Sequence, residues 1–265
     1  MGDRKATALV TGASSGIGAE LARVHAARGG DLVILARRAE RLEALKAELE
    51  SAYRASVYVL VEDLADPEAP QRIYDEIKSR SIQIDYLMNN AGFGFRGAFH
   101  EQDWERNQAM IQVNITALAA LTRLFAPEMV ARRDGRILNV ASMAGFLPGP
   151  LQSVYYASKA FVVSFTEALA NELAGTGVTI TALCPGPVET EFVERAGLEN
   201  VHGFAKGVSA REVAECGYDA MLKGRTLIVP GLLNAMLIQL LRFAPRKIAA
   251  RISRRMMDER YADGR

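Results

Sequence analysis

The 265-residue chain is poor in cysteine, with Cys184 and Cys216 alone, and carries only three histidines and one tryptophan. Two thiols cannot build a disulfide framework, which suits a reducing, cytoplasmic compartment. The histidines stand far apart, at 25, 100 and 202, and neither cysteine has a Cys or His at ligand spacing. No metal centre is therefore expected. Charge of one sign is also lacking. The 32 Lys plus Arg and 31 Asp plus Glu leave a formal charge of +1, whereas a dedicated nucleic-acid binder is usually clearly basic. The longest apolar run, 226–241, is interrupted by Pro230, Gly231, Asn234 and Gln239, too short and broken to span a bilayer. The first residues hold no apolar signal core, and a myristoylation signal would need Ser or Thr at Ala6.

What is present is a regular alternation of strands and helices. Residues 7–11, 31–36, 56–61, 84–88, 136–140, 178–183 and 226–229 read as strands. Helices are expected over 16–28, 39–52, 67–79, 103–132, 153–174 and 210–222, with Asp66 capping a helix that has Pro67 in its first position. The strands are mostly continuous apolar runs, as in a parallel sheet buried on both faces. The pattern predicts an α/β, Rossmann-type doubly wound sheet of about seven strands. It is read as one dinucleotide-binding and catalytic unit over 1–229, followed by a helical extension, 230–265.

Chemistry concentrates where strands end. Thr11-Gly12-Ala13-Ser14-Ser15-Gly16-Ile17-Gly18 joins the first strand to the first helix. Its glycines allow a tight turn and close approach to a pyrophosphate, and the helix start offers free N–H groups to phosphate. Gly92-Phe93-Gly94-Phe95-Arg96-Gly97 fits G-x-G-x-x-G more strictly. It opens no helix and has Ala117 where an acidic residue is required, so it is read as a loop at the site.

The second strand ends in Ala36-Arg37-Arg38, without the carboxylate an NAD site places there. A guanidinium suits the extra phosphate of NADP, and a charge-assisted hydrogen bond is worth about 1.5–3 kcal/mol. Arg37, directly at the strand end, is favoured for that contact over Arg38 and Arg41, which could simply solvate a helix. Tyr155 and Lys159 are four residues apart on one helix face. Tyr74 and Lys78 repeat that spacing, but only Tyr155 has a serine thirteen residues earlier, Ser142.

Together Thr11-Gly12-x3-Gly16-x-Gly18, Asp63, Asn89-Asn90-Ala91-Gly92, Asn114, Ser142, Tyr155-x3-Lys159 and Pro185-Gly186-Pro187-Val188-x-Thr190 resemble the short-chain dehydrogenase/reductases over 7–229. The resemblance implies a catalytic set of Asn114, Ser142, Tyr155 and Lys159. It implies a cofactor site of Gly12, Ser14, Ser15, Gly16, Ile17, Gly18, Arg37, Arg38, Asp63, Leu64, Asn90, Ala91, Gly92, Tyr155, Lys159, Pro185, Gly186, Val188 and Thr190. Within it, Asp63 would contact adenine, and Val188 and Thr190 the nicotinamide amide. Asn114 would hold a water that relays protons to Lys159. NADP-preferring relatives often carry a basic residue where Ser15 stands, which leaves Arg37 and Arg38 to carry the preference. The implied reaction moves a hydride between nicotinamide and a carbonyl or secondary alcohol, with Tyr155 as acid. Lys159 and the oxidised ring would lower the tyrosine from its usual value near 10. The resemblance also implies a homodimer or homotetramer, through the fourth and fifth helices.

Phe93, Phe95, Met143, Phe146, Leu147, Leu151 and Phe192 are candidates for an apolar substrate pocket, as for a ketoacyl, steroid-like or aromatic ketone. The loop after Asn89-Asn90-Ala91-Gly92 leans toward the ketoacyl and hydroxysteroid reductase subgroup. Arg96 is read as a solvated loop residue. The tail is basic: residues 240–265 hold eight basic and three acidic residues, 8 − 3 = +5. Leu237, Ile238, Leu240, Leu241 and Phe243, then Ile248, Ile252 and Met256 beside Lys247, Arg251, Arg254 and Arg255, suit a peripheral membrane helix. A helix capping the pocket or packing on a sister subunit has the same periodicity and is favoured. A catalytically silent NADP(H) sensor or membrane adaptor is the rival function, against which the intact catalytic set counts.

Overall fold

Ala8 and Val10 point to one side of the first strand and Leu9 to the other, and Leu32/Ile34 and Val33/Leu35 divide the second strand alike. Both faces of such strands need covering, and the chain supplies helices to each. A computed structural model describes residues 4–201, 207–241 and 245–257. In chain order the elements are β1 (Thr7–Thr11), α1 (Gly16–Ala27), β2 (Asp31–Ala36), α2 (Ala39–Tyr53), β3 (Val57–Val61), α3 (Ala69–Ser79), β4 (Tyr86–Asn89), α4 (Trp104–Ile111) and α5 (Leu118–Arg132). There follow β5 (Gly135–Val140), α6 (Ser153–Glu172), β6 (Val178–Leu183), β7 (Val188–Glu189), α7 (Glu191–Arg195), β8 (Val208–Ser209), α8 (Ala210–Leu222), β9 (Leu227–Ile228), α9 (Leu232–Leu241) and α10 (Arg246–Met256). Phe243 lies outside the described residues.

Seven parallel strands form one sheet in the order β3-β2-β1-β4-β5-β6-β9. The winding reverses between β1 and β4, which opens a crevice at the carboxyl ends of the strands. Helices α1, α2 and α8 cover one face, and α3, α5 and α6 the other. Buried His25 fastens the first face. Its Nε2 lies 3.0 Å from the Ala6 carbonyl and must donate there, so Nδ1 accepts from the Tyr218 hydroxyl at 2.8 Å. Between the central strands, Asn89 donates to Asn139 at 2.9 Å, and Asn139 to Thr166 at 3.0 Å. These bonds satisfy the Asn89 amide donor and both ends of the Asn139 amide, which burial would otherwise penalise.

Two expectations need correction. The helix expected from Pro67 begins at Ala69, because Pro70 has no N–H to give the Asp66 carbonyl. Ala69 N closes a tighter turn on that carbonyl at 3.1 Å, and the Asp66 side chain accepts from Glu68 N at 3.0 Å. The helix expected over 103–132 is divided by a π-helical segment, Gln112–Ala117. Such a segment keeps the apolar periodicity while re-aiming side chains, and is frequent at functional sites.

Candidate active site

The turn after β1 depends on its glycines. Gly12 and Gly16 have φ of +67° and +55°, where a side chain is strained. A Cβ on Gly18 would stand 2.4 Å from the Gly12 carbonyl oxygen. The turn is anchored across the crevice. Asn90 Nδ2 donates to the Thr11 carbonyl at 2.9 Å, and Asn90 N and Ala91 N both donate to Thr11 Oγ1 at 2.9 Å. Ser15 is the N-cap of α1 but makes no side-chain cap bond, so the helix start presents its N–H groups to an anion.

A cavity of about 860 Å³ runs from this turn across the strand ends. Its wall includes Gly12, Ser14, Ser15, Gly16, Ile17, Arg37, Arg38, Asp63, Leu64, Asn90, Ala91, Gly92, Pro185, Gly186, Val188 and Thr190. Of the expected cofactor set only Gly18 stands behind the wall. The two arginines are held differently. Arg37 is largely exposed and reaches Asp63 at 3.4 Å. Arg38 turns back into the glycine turn, donating to Ser14 Oγ at 3.0 Å, Ser15 Oγ at 2.8 Å and Glu191 at 2.9 Å. Arg38 is thus built into the cavity wall instead of solvating α2. Arg41 and Arg195 also pair with Glu191.

At the inner end lie Ser142, Tyr155 and Lys159. Ser142 follows β5 and its Oγ accepts from Ala144 N at 3.1 Å. Tyr155 and Lys159 rise from the first turns of α6, both buried. Lys159 Nζ donates to the Val140 carbonyl at 2.8 Å and stands 5.9 Å from the Tyr155 ring centroid. Burial pushes the phenol of Tyr155 up, while the Ser142 hydroxyl bonded to it acts the other way. Burial lowers the Lys159 ammonium to about 8. In the chain alone, loss of hydration outweighs the serine's hydrogen bond.

Asn114 sits in the π-helical segment. Its Oδ1 accepts from Phe93 N at 3.1 Å, and its Nδ2 donates to the Phe93 carbonyl at 2.9 Å and to Ser158 Oγ at 3.0 Å. It clamps the loop after β4 to α6. A Cβ on Gly94 would lie 2.7 Å from Tyr155 Cδ2, so the second glycine of the rejected G-x-G-x-x-G match lets this loop rest on the tyrosine ring.

Phe93, Met143, Leu147 and Phe192 face the cavity. Phe192 lies 5.3 Å from the Tyr155 ring, centroid to centroid. Phe95, Phe146 and Leu151 pack behind the wall instead. Phe95 lies under the Arg106 guanidinium, 4.3 Å from its ring centroid. Arg96, expected in solvent, donates to the Met257 carbonyl at 3.1 Å. The sequence reading missed Glu191, Gln152 and Ser158. The C-terminal helices bring Leu237, Ile252, Met256 and Met257 into the cavity wall, as in the favoured pocket-capping reading, although the sequence does not specify which residues line it. No spacing rule links those residues to the site, because long-range packing puts them there.

The dinucleotide implied by the resemblance fits these residues. The turn leaves room that a single Cβ would fill, the α1 terminus faces the cavity, and two guanidiniums flank it.

Residues 6–200 match a family model described as short chain dehydrogenase. The chain is 36% identical over 218 residues to a sulfoacetaldehyde reductase of Chromohalobacter salexigens, covering 78% of this chain and 84% of that one. Among solved structures it is similar to a short-chain dehydrogenase from Sphingobium yanoikuyae in complex with NADPH. There the TM-score is 0.80 and the identity 32%, over 91% of this chain and 97% of that one. It is also similar to a short-chain dehydrogenase/reductase from Burkholderia phymatum in complex with NAD. There the TM-score is 0.81 and the identity 28%, over 89% of this chain and 92% of that one.

Proposed function

The chain belongs to the short-chain dehydrogenase/reductase family, and from that premise we propose that it is an NADP(H)-dependent reductase of large apolar carbonyl compounds, working reversibly on the matching secondary alcohols. It is an oxidoreductase of alcohol or carbonyl groups that uses a nicotinamide dinucleotide. The observation that carries the finer reading is the cavity itself. Arg37 and Arg38 stand at one end, and Ser142, Tyr155 and Lys159 at the other, beside Phe93, Met143, Leu147 and Phe192.

The chemistry supplied by the bound nicotinamide is hydride transfer to or from the carbonyl carbon. The chain's own residues do the rest. The Tyr155 hydroxyl donates its proton to the oxygen as alkoxide forms. The Ser142 hydroxyl hydrogen-bonds the same oxygen and fixes its position. Lys159, held by the Val140 carbonyl, places a cation near the phenol and opposes the effect of burial. Asn114 fixes the Phe93 backbone at the inner wall and would hold the relaying water. Gly12, Ser14, Ser15, Gly16, Ile17, Gly18, Leu64, Asn90, Ala91, Gly92, Pro185, Gly186, Val188 and Thr190 would hold the dinucleotide, with Asp63 at the adenine.

The two similar structures bind NADPH and NAD respectively, so the NADP reading rests on this chain's arginines and on the absence of a carboxylate at 36–38. We read 1–229 as the catalytic unit and 230–265 as the extension that closes it. Phe161 stands exposed on α6 and stacks on Phe165, which supports a homodimer or homotetramer through α5 and α6. Both cysteines are free thiols, in keeping with a cytoplasmic location.

The test is carbonyl-dependent oxidation of NADPH beside NADH, over ketones graded from small to large and apolar. Selective NADPH turnover that rises with apolar size is expected. Preference for NADH, or for small polar carbonyls, would overturn the finer reading. Tight NADPH binding with no turnover would favour the sensor reading.

A further inference from the structure

Eight of the fifteen large apolar side chains exposed among the described residues lie on α9 and α10. They are Leu232, Leu233, Met236, Leu237 and Leu240 on the first, and Ile248, Ile252 and Met256 on the second. Leu233 is 82% exposed and Leu232 77%, far from the condition of a core residue. Three of the four i, i+4 rows along helix α10 and its C-cap Met257 differ in character. Ala249, Ser253 and Met257 are buried against the protein. Ile248, Ile252 and Met256 form an exposed apolar row beside them. Lys247, Arg251 and Arg255 form an exposed basic row beside that. Neither helix contains a carboxylate.

The apolar surface communicates with the active-site cavity. Leu237, Ile252 and Met256 belong to the cavity wall and are also solvent-exposed. Apolar side chains of α9 and α10 therefore form part of the cavity wall.

We propose that α9 and α10 dock the protein on an anionic lipid bilayer and that apolar substrate enters the cavity from that bilayer. Charge selects the occupant. A second copy seated here would bring basic row against basic row, with no carboxylate on either helix to pair them. Anionic headgroups supply that pairing, while the neighbouring apolar row enters the acyl boundary. The helix lies on the membrane and does not cross it: eleven residues extend about 16 Å, roughly half a hydrocarbon core. Docking stands on the surface alone. Substrate entry rests in addition on the reductase reading given above.

The experiment uses the full chain with vesicles of phosphatidylcholine, with and without phosphatidylglycerol. The protein is expected to sediment with the anionic vesicles, at least about tenfold more weakly with neutral ones, and to be released by salt. Replacing Lys247, Arg251 and Arg255 together by Gln should weaken sedimentation by a similar factor. Leu233→Ser with Leu240→Ser should do the same, and both variants should keep wild-type turnover of a water-soluble ketone. Absence of sedimentation with anionic vesicles overturns docking. So does sedimentation that the basic variant leaves intact, or light scattering that shows a dimer which the leucine variant dissociates. Entry is tested with a ketone dissolved in the vesicles. Its turnover should depend on phosphatidylglycerol in the wild type but not in the basic variant, and turnover indifferent to vesicle charge overturns entry. Sedimentation without turnover of any ketone would overturn the reductase reading and leave docking standing.

Discussion

Arg38 and Glu191 meet at 2.9 Å across the cavity, joining the end of β2 to the first residue of α7. The same guanidinium holds the hydroxyls of Ser14 and Ser15, and the same carboxylate holds Arg41 and Arg195. Three cations on one anion leave the cluster net positive. Those pairings hold Glu191 below the usual carboxylate range, the Arg41 hydrogen bond most of all. A phosphate arriving at Arg38 would compete with this carboxylate. Glu191→Gln is therefore expected to tighten NADPH binding by about fivefold, the equivalent of about 1 kcal/mol for a partly exposed pair. NADH affinity should stay unchanged. Fluorescence titration with each cofactor checks this, and an equal change for both would place the effect in α7 packing.

Tyr155→Phe removes the proposed acid and leaves the ring that packs on Phe192 and Gly94. The rate should fall by about 10²–10⁴, the range for a positioned proton donor. NADPH affinity should stay within about twofold. Steady-state kinetics paired with a binding titration reads both. A variant with near-normal kcat would remove Tyr155 from the mechanism.

The sheet was legible because its strands are short apolar runs bounded by turn residues, so periodicity and length decide them. Ser142, Tyr155 and Lys159 were legible because their spacings are local and the strand-helix order fixes where they fall. Less local features escaped. The π-helical segment at Asn114 leaves the apolar pattern of 103–132 intact, and its Phe93 clamp spans 21 residues of sequence. Glu191 reads as one more surface acid, since two of its three arginine partners lie 150 and 153 residues away. Phe95 and Phe93 looked equivalent beside the site, yet the loop's turn sends one into the core and the other to the cavity.

His25 sets a stability limit in acid. Burial lowers its folded value below the usual 6.5, against the opposing hydrogen bond to Ala6. The unfolded chain therefore takes up this proton first as pH falls. The contribution is complete above about pH 6.5 and declines below it, by at most about 1.4 kcal/mol per pH unit. Urea unfolding should show this loss between pH 6.5 and 5. His25→Gln should be less stable at pH 7, through loss of the bond to Ala6 or to Tyr218, with a shallower slope in that window. An unchanged slope would show that His25 does not carry the effect.

Lys159 is where function opposes stability. Its ammonium is buried and titrates at about 8, against about 10.4 in an unfolded chain. Between those values the unfolded chain holds a proton that the folded chain lacks, so stability rises with pH across that window. At pH 7 the folded protein carries a penalty of about 3 kcal/mol for the charge. Lys159→Met removes the penalty but strips the Val140 carbonyl of its donor, which costs about 1 kcal/mol. The variant should gain about 2 kcal/mol at pH 7 and lose turnover. Wild type and variant should converge as pH rises through 8 toward 10, because the wild-type lysine is then neutral in place. Thermal unfolding of both proteins at pH 7, 8.5 and 10 measures the difference. A variant less stable than wild type at pH 7 would mean that the Val140 contact outweighs the cost of burying the charge.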